Sequence, residues 1–97
     1  MFELEWTEEA NRNYNLLKGD ASQKKRYKAA KKAIKFLAIN PRHNSLQTHE
    51  FTSLKGPNRE KVFEAYIEQN TPGAYRLFWF YGPNKLEITI VSIIQHP

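Results

Sequence analysis

A chain of 97 residues, 40% hydrophobic and 13% aromatic, is long enough for one domain with its own core and too apolar to stay disordered. It has no cysteine, which excludes disulfides and thiolate metal sites, and no apolar run long enough for a transmembrane helix. The N-terminus, Met1-Phe2-Glu3-Leu4-Glu5, lacks the basic and apolar regions of a signal peptide, so these absences together favour the cytoplasm and no membrane partner. A net charge of +5 and a pI of about 9.6 favour a polyanionic partner, RNA, DNA or an acidic protein. The same charge also falls in the range that serves solubility alone, so its distribution matters more than its total.

Phe2, Leu4 and Trp6 alternate with Glu3 and Glu5, the period of a half-buried strand. Thr7 offers a helix N-cap, and Glu8 and Glu9 suit the positive end of a helix whose apolar stripe is Ala10, Tyr14 and Leu17. Gly19 follows as a stop. A second helix is expected from about Ser22 to Ile39, with Asp20 or Ser22 as its cap. Tyr27, Ala30, Ala33, Ile34, Leu37 and Ala38 fall on one side of it. Lys24, Lys25, Lys28, Lys31, Lys32 and Lys35 fall within an arc of about 120° on the other. Asn40-Pro41 ends this helix, because the residue before proline avoids the α region.

Residues 41–61 read as a long connection with a short strand or turn around Glu50-Phe51, and a loop of that length in a compact domain is more often functional than not. Three strands follow: Val62 to Gln69, Tyr75 to Tyr81 and Glu87 to Ile94, joined by turns at Asn70–Gly73 and Gly82–Lys85. The middle strand is apolar on both faces and should be central. The order β-α-α-β-β-β describes a single α+β domain over residues 1–97, an antiparallel sheet with two helices packed on one face.

The lysine face carries no interleaved acid, which is more one-sided than solubility requires, and it suits phosphate tracking. The basic loop residues Arg42, Lys55, Arg59 and Lys61 lead into the sheet and are read either as a phosphate clamp or as an ordinary exposed loop. Arg76 shares a strand face with Phe78 and Phe80. Buried, it needs a carboxylate, for which Glu64 and Glu87 are the candidates; at the edge of an open face it can bind phosphate bidentately. His43, His49 and His96 match no metal-ligand spacing, so no metal is expected. His96 ends an apolar strand and can act as general acid or base near neutral pH. No glycine-rich nucleotide loop, nucleophile elbow or paired-carboxylate motif is present.

The ordered run Leu54-Lys55-Gly56, Val62-Phe63-Glu64-Ala65-Tyr66-Ile67, Tyr75-Arg76-Leu77-Phe78, Ile88-Thr89-Ile90-Val91 and His96 resembles the RelE/ParE toxin superfamily over the whole chain. The resemblance implies the toxin of a type II toxin–antitoxin pair, held inactive by an acidic antitoxin. RelE-like and YoeB-like members cut messenger RNA, typically on the ribosome and without a metal or other cofactor, and so inhibit translation. ParE-like members inhibit DNA gyrase without catalysis. A third reading is a catalytically degenerate relative that only binds antitoxin or nucleic acid. On the ribonuclease reading, the resemblance assigns Arg76 to the scissile phosphate, His96 to proton transfer, Lys55 to the loop lysine and Glu50 to the acidic base. The chain departs from YoeB-like members in having Tyr66 where they carry an arginine, and Pro97 where they carry a tyrosine. Tyr66 is then a candidate stacking or proton-transfer group, and Arg59 and Lys61, with the six helix lysines, are candidate RNA contacts.

Overall fold

The computed structural model describes residues 1–97. Strand β1 (Glu3–Trp6) leads into helix α1 (Glu8–Gly19). Thr7 joins them in two ways: its Oγ1 accepts from the Ala10 amide at 3.0 Å, capping α1, and donates to the Val91 carbonyl at 2.7 Å. The cap therefore also ties the helix start to the last strand. Asp20 caps a 3₁₀ turn, Ala21–Gln23, by accepting from the Ser22 amide at 3.0 Å; hydrogen bonds from the Ser22 hydroxyl and amide lower its pKa. Helix α2 (Lys24–Ile39) follows directly and stops where expected, with Asn40 extended before Pro41.

Strands β2 (His49–Lys55), β3 (Lys61–Tyr66), β4 (Tyr75–Tyr81) and β5 (Glu87–Gln95) complete one sheet in the order β1-β5-β4-β3-β2. The architecture is the expected α+β one, and β4 is central. Two details go beyond the sequence pattern. Strand β1 pairs with β5 in parallel, while the other pairings are antiparallel. The middle of the 41–61 connection, where a short strand or turn was expected around Glu50-Phe51, is a full seven-residue edge strand, β2. Its sequence, HEFTSLK, is mostly polar and mostly exposed, and its register shifts between Glu50 and Lys55. An exposed, bulged edge strand has no buried face to impose alternation, so its pattern is weak.

The strands are two-faced. Phe63, Ala65, Leu77, Trp79, Ile88, Ile90 and Ile93 meet Ala10, Leu17, Ala30, Ala33 and Leu37 of the two helices in the main core. Alternation sends Val62, Phe78 and Phe80 to the opposite face, where they form a smaller core with Phe51, Val91 and Ile94. The Phe51 and Phe78 rings meet edge to face at 4.9 Å. Between β3 and β4, Gly73 has φ +70°, a left-handed conformation that favours glycine.

At the helix–sheet boundary Tyr14 packs between Trp6 and Tyr27, and its hydroxyl hydrogen-bonds that of Tyr27 at 3.4 Å. Burial, reinforced by Tyr27, raises its pKa from 10.0 to about 12. A folded-state pKa above the unfolded one stabilises the native state fully below pH 10.0, and that contribution is lost as pH rises through about 12. A tyrosinate absorbance titration should therefore show one late component with a midpoint near 12 that Tyr14→Phe removes. A Tyr14→Phe profile identical to the parent's is the contrary result.

Candidate active site

The face of the sheet away from the helices carries the group of residues best suited to chemistry. Strand β3 places Glu64 and Tyr66 on that face, and Phe63 and Ala65 in the helix-side core. Across the ladder, Tyr66 stands opposite Arg76 and Glu64 opposite Phe78. On its other side, Glu64 stands opposite His49 at the start of β2. His96 follows the end of β5, anchored by its amide to the Ala74 carbonyl at 3.0 Å. Four strands thus deliver five side chains to one place.

Glu64 is the hub. Its side chain is 2% exposed, and a buried carboxylate is stable only with donors and counter-charge around it. His49 Nε2 lies 2.9 Å from Oε1, His96 Nδ1 hydrogen-bonds Oε2, and Arg76 Nε is 3.6 Å from Oε2. Arg76 itself is 12% exposed. Its Nη1 donates to the Glu68 carbonyl at 2.6 Å and to the Tyr75 carbonyl at 3.2 Å, and the guanidinium lies over the Tyr66 ring at 3.9 Å. Its Nε makes no hydrogen bond, and the Glu64 charge is what compensates it. Of the two carboxylates the sequence offered Arg76, the structure selects Glu64. Glu87 instead accepts from the Asn84 amide in the β4–β5 turn.

The two histidines are half exposed, 48% for His49 and 50% for His96, but differ in what they leave free. His49 Nδ1 lies 2.9 Å from the Gln47 carbonyl, so both of its ring nitrogens face atoms that only accept. His96 spends Nδ1–H on Glu64 and leaves Nε2 available. The cluster thus offers one free ring nitrogen, on His96, beside a guanidinium held in place by carbonyls and a ring.

Three of the expected catalytic residues, Arg76, His96 and Tyr66, are brought together here. Glu50 and Lys55 are not. Their side chains pair with each other at 3.5 Å, and Glu50 stands opposite Phe63, a helix-side residue. Arg59 and Lys61 are exposed at the β2–β3 turn, with Lys61 opposite Lys55 at the far end of β2 from His49. Arg42 lies over the Phe63 ring at 5.1 Å. The six α2 lysines are all exposed on the helix layer, and Lys32 among them borders a cavity that reaches Tyr66. Of the remaining histidines, His43 has a structural role. Its ring stacks on Phe36 at 4.0 Å, and its Nδ1 accepts from the Ser45 amide at 3.1 Å.

His49 and Glu64 are the site residues that sequence reasoning did not assign a chemical role. Glu64 carried a signal, being a lone acid inside the apolar run Val62–Ile67. His49 carried none, because its strand was hidden in the long connection.

Behind the cluster, Arg26 of α2 braces the β3–β4 turn. Its Nε bonds Glu68 Oε1 at 2.9 Å, and its guanidinium stacks on Tyr75 at 4.3 Å. The same Glu68 oxygen accepts from the Tyr75 amide at 3.0 Å, while the Glu68 carbonyl holds Arg76. Glu68→Ala should lower stability by about 1–2 kcal/mol, the range for partly exposed charge-assisted bonds. A urea midpoint unchanged from the parent's is the result against this brace.

Two helices on a five-stranded, mostly antiparallel sheet make an α+β fold that matches solved YoeB-type toxin structures. The YoeB/ParE toxin from Agrobacterium tumefaciens superposes with a TM-score of 0.73 at 12% identity, covering 99% of this chain and 100% of that one. The YoeB dimer from Staphylococcus aureus gives 0.63 at 18% identity over 99% and 98%. A copper-bound mutant toxin from Helicobacter pylori gives 0.62 at 18% over 99% and 96%. No protein-family model and no curated protein matches the chain. The fold anticipated from the ordered motifs is thus present along the whole chain.

Proposed function

We propose that this protein is the toxin of a toxin–antitoxin pair and that it cuts messenger RNA at the Glu64 cluster, without a metal, to inhibit translation. The observation that carries the reading is the convergence of His49, His96 and Arg76 on one buried carboxylate. RNA cleavage of this kind needs a base for the 2′-hydroxyl proton, positive charge for the phosphorane-like transition state, and an acid for the departing 5′-oxygen. His96 Nε2 takes the 2′-proton as the 2′-oxygen bonds to phosphorus. Arg76 stabilises the developing charge through the edge not bound to carbonyls. His96, protonated in that step, returns the proton to the 5′-oxygen as the P–O5′ bond breaks, while both ring nitrogens of His49 stay bound to Glu64 and Gln47. The products are a 2′,3′-cyclic phosphate and a 5′-hydroxyl, and Glu64 holds both rings in the orientation this requires.

The six-lysine face of α2 suits an acidic antitoxin or ribosomal RNA. Induced expression should stop bacterial growth and leave messenger RNA with new 5′ ends. Arg76→Ala should retain the fold and reduce cleavage at least about tenfold, the low end for a positioned transition-state charge. Full cleavage by folded Arg76→Ala removes that residue from the chemistry. Tyr66 in place of an arginine favours a second reading, gyrase inhibition without catalysis. Growth arrest with intact RNA and a blocked supercoiling assay would select it.

A further inference from the structure

We infer that the cavity between α2 and the end of β3 is a nucleobase subsite, which takes the base of the RNA nucleotide whose phosphate lies on Arg76. The inference rests on the ribonuclease reading for its substrate class, and on separate geometry for its location. The cavity has a volume of about 270 Å³ and is bounded by Ala29, Lys32 and Phe36 of α2, by Ser45 of the 3₁₀ turn Asn44–Leu46, and by Tyr66 and Gln69.

Tyr66 is shared between the cavity and the cluster, since the Arg76 guanidinium rests 3.9 Å from its ring. A phosphate held by Arg76 is therefore one nucleotide's reach from the opening. The volume lies just below the range of drug-sized pockets, which suits one planar heterocycle. Aromatic and aliphatic walls suit a flat ring, and Phe36 already stacks with His43 at 4.0 Å, which fixes that wall. At the rim, the Ser45 hydroxyl and Gln69 amide are exposed and make no side-chain hydrogen bond within the chain. Both can donate and accept, which is what reading a base edge needs. Lys32 Nζ sits 5.8 Å from the Phe36 ring, at the mouth, where a neighbouring phosphate can meet it. This mixture of aromatic wall, bidirectional polar rim and cation matches a nucleotide better than an apolar side chain of a protein partner, which would leave the rim unused.

The test is a titration of the full chain with each of the four nucleoside 3′-monophosphates and with inorganic phosphate, followed by the amide NMR signals of Ser45 and Gln69. At least one nucleotide should bind about tenfold or more tightly than phosphate, the low end for base–aromatic stacking, and should move both signals. Ala29→Trp, which fills the cavity, should reduce that nucleotide to the affinity of phosphate. Gln69→Ala, at an exposed position that leaves the fold intact, should narrow the spread among the four bases. Nucleotides that perturb only the Glu64–Arg76 region, as phosphate does, overturn the subsite, as does an unchanged spread and affinity in both variants. Cavity binding by a protein that cuts no RNA leaves the subsite standing and defeats the ribonuclease reading. Cleavage with silent Ser45 and Gln69 signals does the reverse.

Discussion

Glu64→Ala should destabilise the protein by about 3 kcal/mol, the low end for removing one partner of a buried ion pair. The reason lies in what remains. His49 and His96 are half exposed and can turn to water, whereas Arg76 cannot, because its guanidinium is pinned by two carbonyls and covered by Tyr66. Its Nε, already without a hydrogen bond, would lose the only counter-charge near it. For a domain of this size the loss corresponds to a fall in Tm of about 12–24 °C. Glu64→Gln, which keeps the volume and one acceptor, should lose less. Urea denaturation of both variants measures this, and a loss below about 1 kcal/mol for Glu64→Ala would mean that the carboxylate does not hold the cluster together.

The second large effect is on chemistry. His96→Ala should cost less stability than Glu64→Ala, about 1–2 kcal/mol for the lost hydrogen bond to the buried carboxylate, yet lower RNA cleavage by about a hundredfold or more. The distinction matters because Glu64→Ala disturbs fold and site together, whereas His96→Ala isolates the proton-transfer atom. His49→Ala provides the matching test of a histidine that holds Glu64 without transferring a proton. If His96→Ala cleaves at the parent rate while His49→Ala does not, proton transfer runs through His49 alone.

Much of this site lay in view along the chain. An arginine inside the aromatic strand Tyr75–Tyr81 and a histidine after an apolar strand stand out because burial of such groups is costly. The tryptophan and phenylalanine alternation in β4 placed Arg76 on the face with Phe78 and Phe80, where it is found. Glu50 and Glu64 show the opposite case. Both are single acids near strands: Glu64 was one of two candidate counter-charges for Arg76, and the resemblance offered Glu50 as the acidic base. Register decided otherwise: Glu50 faces the helix side with Lys55, while Glu64 is one pleat over and faces Arg76 and both histidines. A side-chain period of two means that one residue's difference in register exchanges the two faces, and a polar, bulged edge strand carries too little alternation to reveal which face is which.

Periodicity along single segments was enough for the element order, the central place of β4, the lysine face of α2 and the end of that helix at Asn40, because each depends on residues close in sequence. Pairing was needed for the rest. The parallel β1–β5 contact, the full length of β2, and the meeting of His49 with Glu64 across 15 residues and of His96 with Glu64 across 32 all depend on which strands lie side by side. These contacts between distant segments are fixed by the burial of both sheet faces at once, a property of the folded chain that no single segment carries.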